Sequence, residues 1–242
     1  MPKNLEIFME PLQKISIIIP VFNEENTLRS VIQSVEDAPI PYIKELIIIN
    51  DGSSDDTAKI LEEYHSRHTI ISFSKNRGKG AAVQAGLKSV TGDVAIIQDA
   101  DLEYDPADYS ILLQPIADGR ADVVFSSRFI SSSPHRVLHF SHYMANKLLT
   151  FISNLCTGLN LSDMESGLKA FNREAINKII PHLRTMRFGL EPELTAYVAK
   201  YKLRIYEVGV SYNGRTYAEG KKITWRDGVA ALWHIIRSNF SS

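Results

Sequence analysis

The sequence predicts an α/β fold: a mostly parallel central sheet flanked by helices, ending in amphipathic helices. Three observations carry that expectation. Short β-branched runs without polar alternation recur along the first half, as strands buried on both faces read. Segments of helical length separate them, which is the rhythm of a parallel sheet with crossover helices. Three of the runs end in polar clusters, and open parallel sheets bind ligands at the carboxyl ends of their strands.

Taken in order, strands are expected at 15–21, 45–49, 70–73, 93–97 and 122–125, with helices at 27–35, 55–64, 80–89 and 107–116. The character changes after Arg128, where Ser131 to Ser133 and Pro134 predict a loop. Phe140, Tyr143, Met144, Leu148, Phe151, Ile152 and Leu155 then recur at three- and four-residue spacing, the apolar stripe of a long helix. Trp225, Val229, Leu232, Trp233, Ile236 and Phe240 repeat the device in a last helix. No internal repeat or low-complexity segment interrupts this order. The expectation is one domain over 1–242, divided into a ligand-binding half at about 12–130 and a second half at about 131–242.

With 44% hydrophobic residues in 242, the chain has material for one substantial core. A formal net charge of −1 gives no global positive field, so nucleic acid is not an expected partner and any bound anion must be met by local basic groups. The single Cys156, in an apolar stretch, excludes an internal disulfide and reads as a structural thiol, which fits a reducing, cytoplasmic compartment. No run reaches the roughly 18 to 20 apolar residues that cross a bilayer, and Glu6, Glu10 and Pro11 break any signal-peptide profile.

The chemistry lies in the polar clusters. Asp99 and Asp101 flank one small residue after an apolar run, so the chain places two mutually repelling carboxylates together. A hard divalent cation relieves that repulsion, and Mg2+ or Mn2+ typically takes one or two carboxylates and completes its shell with phosphate oxygens and water. The alternative, a helix cap, is already supplied by Asp105 before Pro106. Asn50 to Asp55 offers acceptors and a tight turn for a ribose and base, and equally an Asx-turn. Glu24 and Glu25 either reach a ribose hydroxyl or complement a helix dipole. Lys75 to Gly80 sets cations and glycines before an alanine-rich helix, a phosphate site or a solvated basic turn. Neither a Walker A spacing nor a G-x-G-x-x-G fingerprint is present.

In order, Pro20 to Glu25, Asn50 to Thr57, Asn76 to Gly80, Asp99-Ala100-Asp101 and Ser127-Arg128-Phe129 resemble the signature series of family 2 glycosyltransferases with the GT-A, Rossmann-like fold. The similarity continues through Pro134-His135-Arg136, Asp163 to Phe171 and Ser211 to Thr216, closest to the polyprenyl-phosphate branch typified by dolichol-phosphate mannose and glucose synthases. The resemblance implies nucleotide-sugar contacts from Pro20, Phe22, Asn23, Glu24, Asp51, Ser53, Lys79, Asp99, Ala100 and Asp101, with Asp51 on the base and Glu24 on the nucleoside. It implies Mg2+ or Mn2+ on Asp99 and Asp101, catalytic roles for Asp101, Arg128, Asp163 and Glu165, and an acceptor phosphate met by Arg136, Lys169 and Arg215, with inversion at the anomeric carbon. Two departures stand out: Asn50 replaces a first Asp, and Ser166-Gly167-Leu168-Lys169 replaces a Gly-Phe-Arg pattern.

The donor implied is a UDP- or GDP-hexose. A polyprenyl phosphate acceptor is nucleophilic at neutral pH, whereas a saccharide hydroxyl, the runner-up, requires a base. Asp163 and Glu165 are candidates for that base, or for orienting Arg136 or Lys169. His135, Arg136, His139, Lys147, Lys221, Lys222, Arg226 and Arg237 edge the two apolar stripes, as on a helix lying against an anionic membrane surface. That reading makes the protein peripheral at the inner face of the cell membrane; packing within the fold or in a homo-oligomer is the alternative. A nucleotide-sugar pyrophosphorylase would carry an N-terminal glycine-rich loop, and a non-catalytic carbohydrate-binding protein would bind without metal.

Overall fold

The computed structural model describes residues 12–130, 136–137, 140–187, 189–215 and 225–240. The expected 131–134 loop, His135, His139, Thr216, Lys221 and Lys222, and the side chains of Trp225 and Arg226, lie outside the described residues.

Seven strands form one sheet: β1 (Lys14–Val21), β2 (Ile43–Asn50), β3 (Thr69–Ser72), β4 (Val94–Ile97), β5 (Val123–Ser127), β6 (Lys169–Asn172) and β7 (Ile205–Gly209), in the order β3-β2-β1-β4-β6-β5-β7. Every neighbouring pair is parallel except those that β6 makes with β4 and β5. The one reversed strand comes from the second half of the chain, so strands from both halves share the sheet.

The β-branched runs form strands because both faces are covered. Ile15, Ile17 and Ile19 pack on one side with Leu28, Val31, Ile32 and Val35 of α1 (Leu28–Glu36), Ile60 and Leu61 of α2 (Thr57–Glu62), and Leu112 and Ile116 of α4 (Tyr109–Ala117). Ile18, Ile47 and Ile49 face the other way. They share one core cluster with Ala82, Val83 and Leu87 of α3 (Lys79–Ser89), Ile176 of α6 (Arg173–Ile179), Leu194 and Val198 of α7 (Leu190–Lys200), and Ile235 of α8 (Trp225–Phe240). Fully burying each isoleucine stabilises the fold by about 1.5–3 kcal/mol. The Asp105 cap forms as expected, its carboxylate accepting from Ala107 N ahead of α4.

The long helix α5 (Phe140–Thr157) lies against α7 and α8. Its stripe does not turn wholly inward. Leu149, Ile152 and Cys156 pack on the core, but Phe140, Leu148, Phe151 and Leu155 stay exposed, as do Val229, Trp233 and Phe240 of α8.

The fit of α3 on the sheet yields a direct expectation. A side-chain carbon at Gly86 would stand 2.4 Å from Ile18 Cγ2 and 2.9 Å from Ile49 Cδ1. Gly86→Leu should therefore lower stability by about 1–3 kcal/mol in urea unfolding, the range for overpacked cores.

Candidate active site

The loops after β1, β2 and β4 meet at the carboxyl edge of the sheet, stitched by their own polar side chains. Asn23 N donates to Ser53 Oγ at 3.0 Å, and Asn23 Oδ1 accepts from Ser54 N at 2.8 Å. Glu24 N donates to Thr57 Oγ1 at 3.0 Å. Thr27 Oγ1 bridges Glu24 Oε2 and the Ala100 carbonyl at 2.8 and 2.9 Å, tying the first loop to the acidic turn. Pro20 lies next to the end of β1 and Phe22 sits half-buried beside Asn23, which holds a left-handed φ of 53°. Asn50 Oδ1 accepts from Ser53 N at 2.9 Å, and the Asx-turn is closed by Asp55, whose Oδ1 accepts from Thr57 N at 3.0 Å at the start of α2.

Asp51 has a different immediate task from the base contact implied for it. Its buried carboxylate accepts from Asn76 Nδ2, Arg77 N and Gly78 N at 2.9, 2.7 and 2.8 Å, which folds the 75–78 turn against the second loop. Gly52, at φ 68°, is needed there, since a side-chain carbon would stand 2.4 Å from Lys75 C. The amino end of α3 is likewise engaged by protein: Ala81 N donates to the Met186 carbonyl at 3.0 Å.

The acidic turn gathers charge. Asp99 Oδ1 pairs with Lys79 Nζ at 2.7 Å, and Lys79 also reaches Glu191 Oε1 at 2.9 Å from the first turn of α7. Burial alone would lower the Lys79 pKa, but Asp99 and Glu191 together hold it well above its ordinary value. Asp101 Oδ1 accepts from Glu103 N at 3.2 Å and Oδ2 faces Arg215 Nη2 at 3.1 Å. Burial, then the charges of Asp99 and Glu103, pushes the Asp101 carboxyl up to about 7 against the pull of Arg215. The next residue, Leu102, takes a φ of 60°, the kind of strain stored at functional sites. Against the other side of the turn lies Gly167, where a side-chain carbon would meet Asp99 Oδ2 at 2.1 Å.

These residues fit a divalent cation by the chemistry of the donor set. Asp99 and Asp101 present hard oxygens, the backbone of Gly167 leaves Asp99 in place, and the repulsion that raises Asp101 is what such a cation relieves. Among the described residues no group of three or more His, Cys, Asp or Glu is arranged to hold a metal unaided.

After β5, Arg128 grips Asp163 with a two-pronged fork, Nε to Oδ2 and Nη2 to Oδ1 both at 2.7 Å, and its backbone N–H adds a third bond at 3.0 Å. Asp163 is fully buried, so it orients Arg128 rather than Arg136 or Lys169. Lys169 lies 1% exposed on β6, its ammonium donating to the Met164 and Ser166 carbonyls and lying 4.5 Å from the centre of the Phe125 ring. Burial lowers its pKa to about 8. It thus props the 164–166 loop from beneath instead of facing an acceptor. Glu165 Oε1 is buried without a hydrogen-bond partner, and burial together with the Glu191 charge pushes Glu165 up to about 8. Arg136 is exposed and donates to the Gly214 carbonyl at 3.2 Å, beside a pocket of about 530 Å³ lined by Tyr104, Tyr212 and Asn213.

Glu191 and Glu103 touch these residues and were not singled out in the sequence, where Gly167 stood out only as part of a departure from the family pattern. Only Glu191 carries a local signal, as an acidic first turn beside Pro192. The other two act through partners distant in sequence.

A GT-A-like sheet with an acidic turn at its carboxyl edge defines the class, and the comparisons then fix the family. Residues 16–180 match the model of glycosyl transferase family 2. The chain belongs to that family and is a glycosyltransferase. It is 29% identical over 229 residues, covering 86% of this chain and 90% of the relative, to UDP-N-acetylglucosamine–dolichyl-phosphate N-acetylglucosaminyltransferase of Methanococcus voltae. It is 30% identical to undecaprenyl-phosphate 4-deoxy-4-formamido-L-arabinose transferase of Proteus mirabilis, over 88% of this chain and 64% of that one. Glucosyl-3-phosphoglycerate synthase from Mycobacterium tuberculosis, solved with Mn2+, UDP and glucosyl-3-phosphoglycerate, superposes with a TM-score of 0.72 at 21% identity, covering 94% and 80% of the two chains, and so shares the fold.

Two expectations follow from the buried charges. Asp163→Ala strands Arg128 and should cost about 3–5 kcal/mol in urea unfolding, the loss usual for half of a buried pair. Glu165 binds its proton more tightly folded than unfolded, so its contribution is full below its ordinary value of 4.5 and declines as pH rises toward about 8. Glu165→Gln should flatten that decline in melts collected across the window.

Proposed function

We propose that the enzyme transfers a hexose, with inversion, from a UDP- or GDP-hexose to the phosphate of a polyprenyl phosphate. The observation that carries this reading is the state of the two carboxylates that would serve a hydroxyl acceptor. Asp163 is spent on Arg128, and Glu165 holds its proton at neutral pH. A phosphate monoester needs no base, since its second pKa lies near 6 and its oxygen is already charged. What it needs is cations, and Arg128, Arg136 and Arg215 stand on the acceptor side.

Asp99 and Asp101 would hold Mg2+ or Mn2+, which when bound neutralises charge on the departing nucleoside diphosphate. The other roles belong to the chain. Lys79 fixes Asp99, the stitched loops of Asn23, Glu24 and Ser53 shape the nucleoside cleft, and the Asp163–Arg128 pair presents a rigid guanidinium to the sugar or its phosphates. The polyprenyl-phosphate transferases among the relatives and the Mn2+–UDP complex of a protein with the same fold support this assignment.

No described helix is long and apolar enough to cross a membrane. The exposed apolar faces of α5 and α8, with Lys147 and Arg237 on the same helices, suit peripheral attachment to an anionic membrane surface at the inner face, which would bring the lipid phosphate to the site.

Calorimetric titration with UDP and with GDP, each with Mn2+ and then with chelator, tests the donor side. One nucleotide should bind only with metal, and Asp99→Asn or Asp101→Asn should weaken it by more than about tenfold, as even the groups that orient metal ligands contribute that much. Product on polyprenyl phosphate in liposomes should then follow. Binding of neither nucleotide would sink the assignment.

A further inference from the structure

Arg215 joins the two sides of the site. Its guanidinium lies 3.1 Å from Asp101 Oδ2, 3.4 Å from Glu24 Oε2 and 3.6 Å from Glu103 Oε1, while its backbone N–H donates to Glu103 Oε1 at 2.8 Å. Glu103 is itself fixed by Tyr212 Oη, which donates to its Oε2 at 2.7 Å. Carboxylates from the loop after β1 and the turn after β4 thus converge on one cation brought by the far end of the chain. Arg215 Nε finds no hydrogen-bond acceptor although it is buried, so the fork is not seated in the geometry that a dedicated Arg–carboxylate pair adopts.

We propose that Arg215 is a resident counterion that competes with the divalent cation for Asp101. The inference rests on Asp99 and Asp101 being the metal pair. Glu103 N and Arg215 Nη2 each take one lone pair of Asp101, on Oδ1 and Oδ2, so a cation that joins Oδ2 must sit directly beside the guanidinium. Two positive charges at that separation in a largely buried site repel. The guanidinium released by the metal is the one that an acceptor anion can then grip. Linkage requires the converse: an anion that draws Arg215 off Asp101 tightens the metal by the same factor. Donor complex and acceptor therefore bind with positive cooperativity through a single side chain.

The test titrates Mn2+ into the full chain, first alone and then with UDP or GDP present to complete its shell, and follows the paramagnetic resonance signal of unbound Mn2+. Arg215→Ala should bind Mn2+ at least about fivefold more tightly than wild type, the low end of ordinary site-to-site coupling. Arg215→Lys, which keeps the charge, should stay near wild type. Arg215→Gln reads the same quantity if the alanine variant does not fold, with thermal melting as the check. Equal or weaker Mn2+ binding by a folded neutral variant overturns the counterion role while leaving the metal pair intact. Absence of Mn2+ binding in wild type and variants alike, with UDP or GDP present as well as without nucleotide, overturns the metal pair, and this inference with it.

Discussion

The parallel register of β1 with its two neighbours is the constraint on which the site depends. Val21 pairs with Asn50 on one side and Ile18 with Ile97 on the other, so the chain leaves the sheet at one edge after all three strands. Parallel pairing puts every carboxyl end on that edge, and the continuous isoleucine runs hold the register because both faces are buried. Glu24, Asp51 and Asp99 are neighbours for that reason, although three helices and three strands separate the first from the last.

Charge is then managed by pairing across elements. Asp99 has Lys79, Asp163 has Arg128, and Asp101 shares Arg215 with two glutamates. Each pair ties an acid to a cation from a different element, so the electrostatics of the site also fix its geometry. Buried pairs of this kind are weak contributors to net stability but costly to break singly. The site is consequently rigid where both partners are protein. It is poised to rearrange at Arg215, where three acids share one cation.

The parts legible in the sequence are those whose signal is local. The β-branched runs, the helices between them and the carboxylates at strand ends all declare themselves within a dozen residues. The Asp105 cap does so too. The four-residue β6, with the buried Lys169 at its start, has no periodicity to read and takes its identity from β4 and β5 on either side. The inward turn of Lys169 and the pairing of Asp163 with Arg128 were equally hidden, because each depends on which strand lands beside which. The apolar stripe of α5 was visible as a stripe. That one row of it packs inward on the core while the other stays exposed is a tertiary fact.

The reversed strand β6 has a consequence for how such enzymes diversify. It is inserted between β4, which leads into the acidic turn, and β5, which leads into Arg128, and it is preceded by the loop carrying Asp163, Glu165 and Gly167. The two halves are laced together along a seam and cannot be exchanged as cassettes. A chimera joined near residue 130 would import a foreign strand into the middle of the native sheet, and with it a foreign residue against Asp99. Acceptor preference in this architecture is therefore free to drift in the far loops and helices, while the residues nearest the seam must change in concert with the donor side.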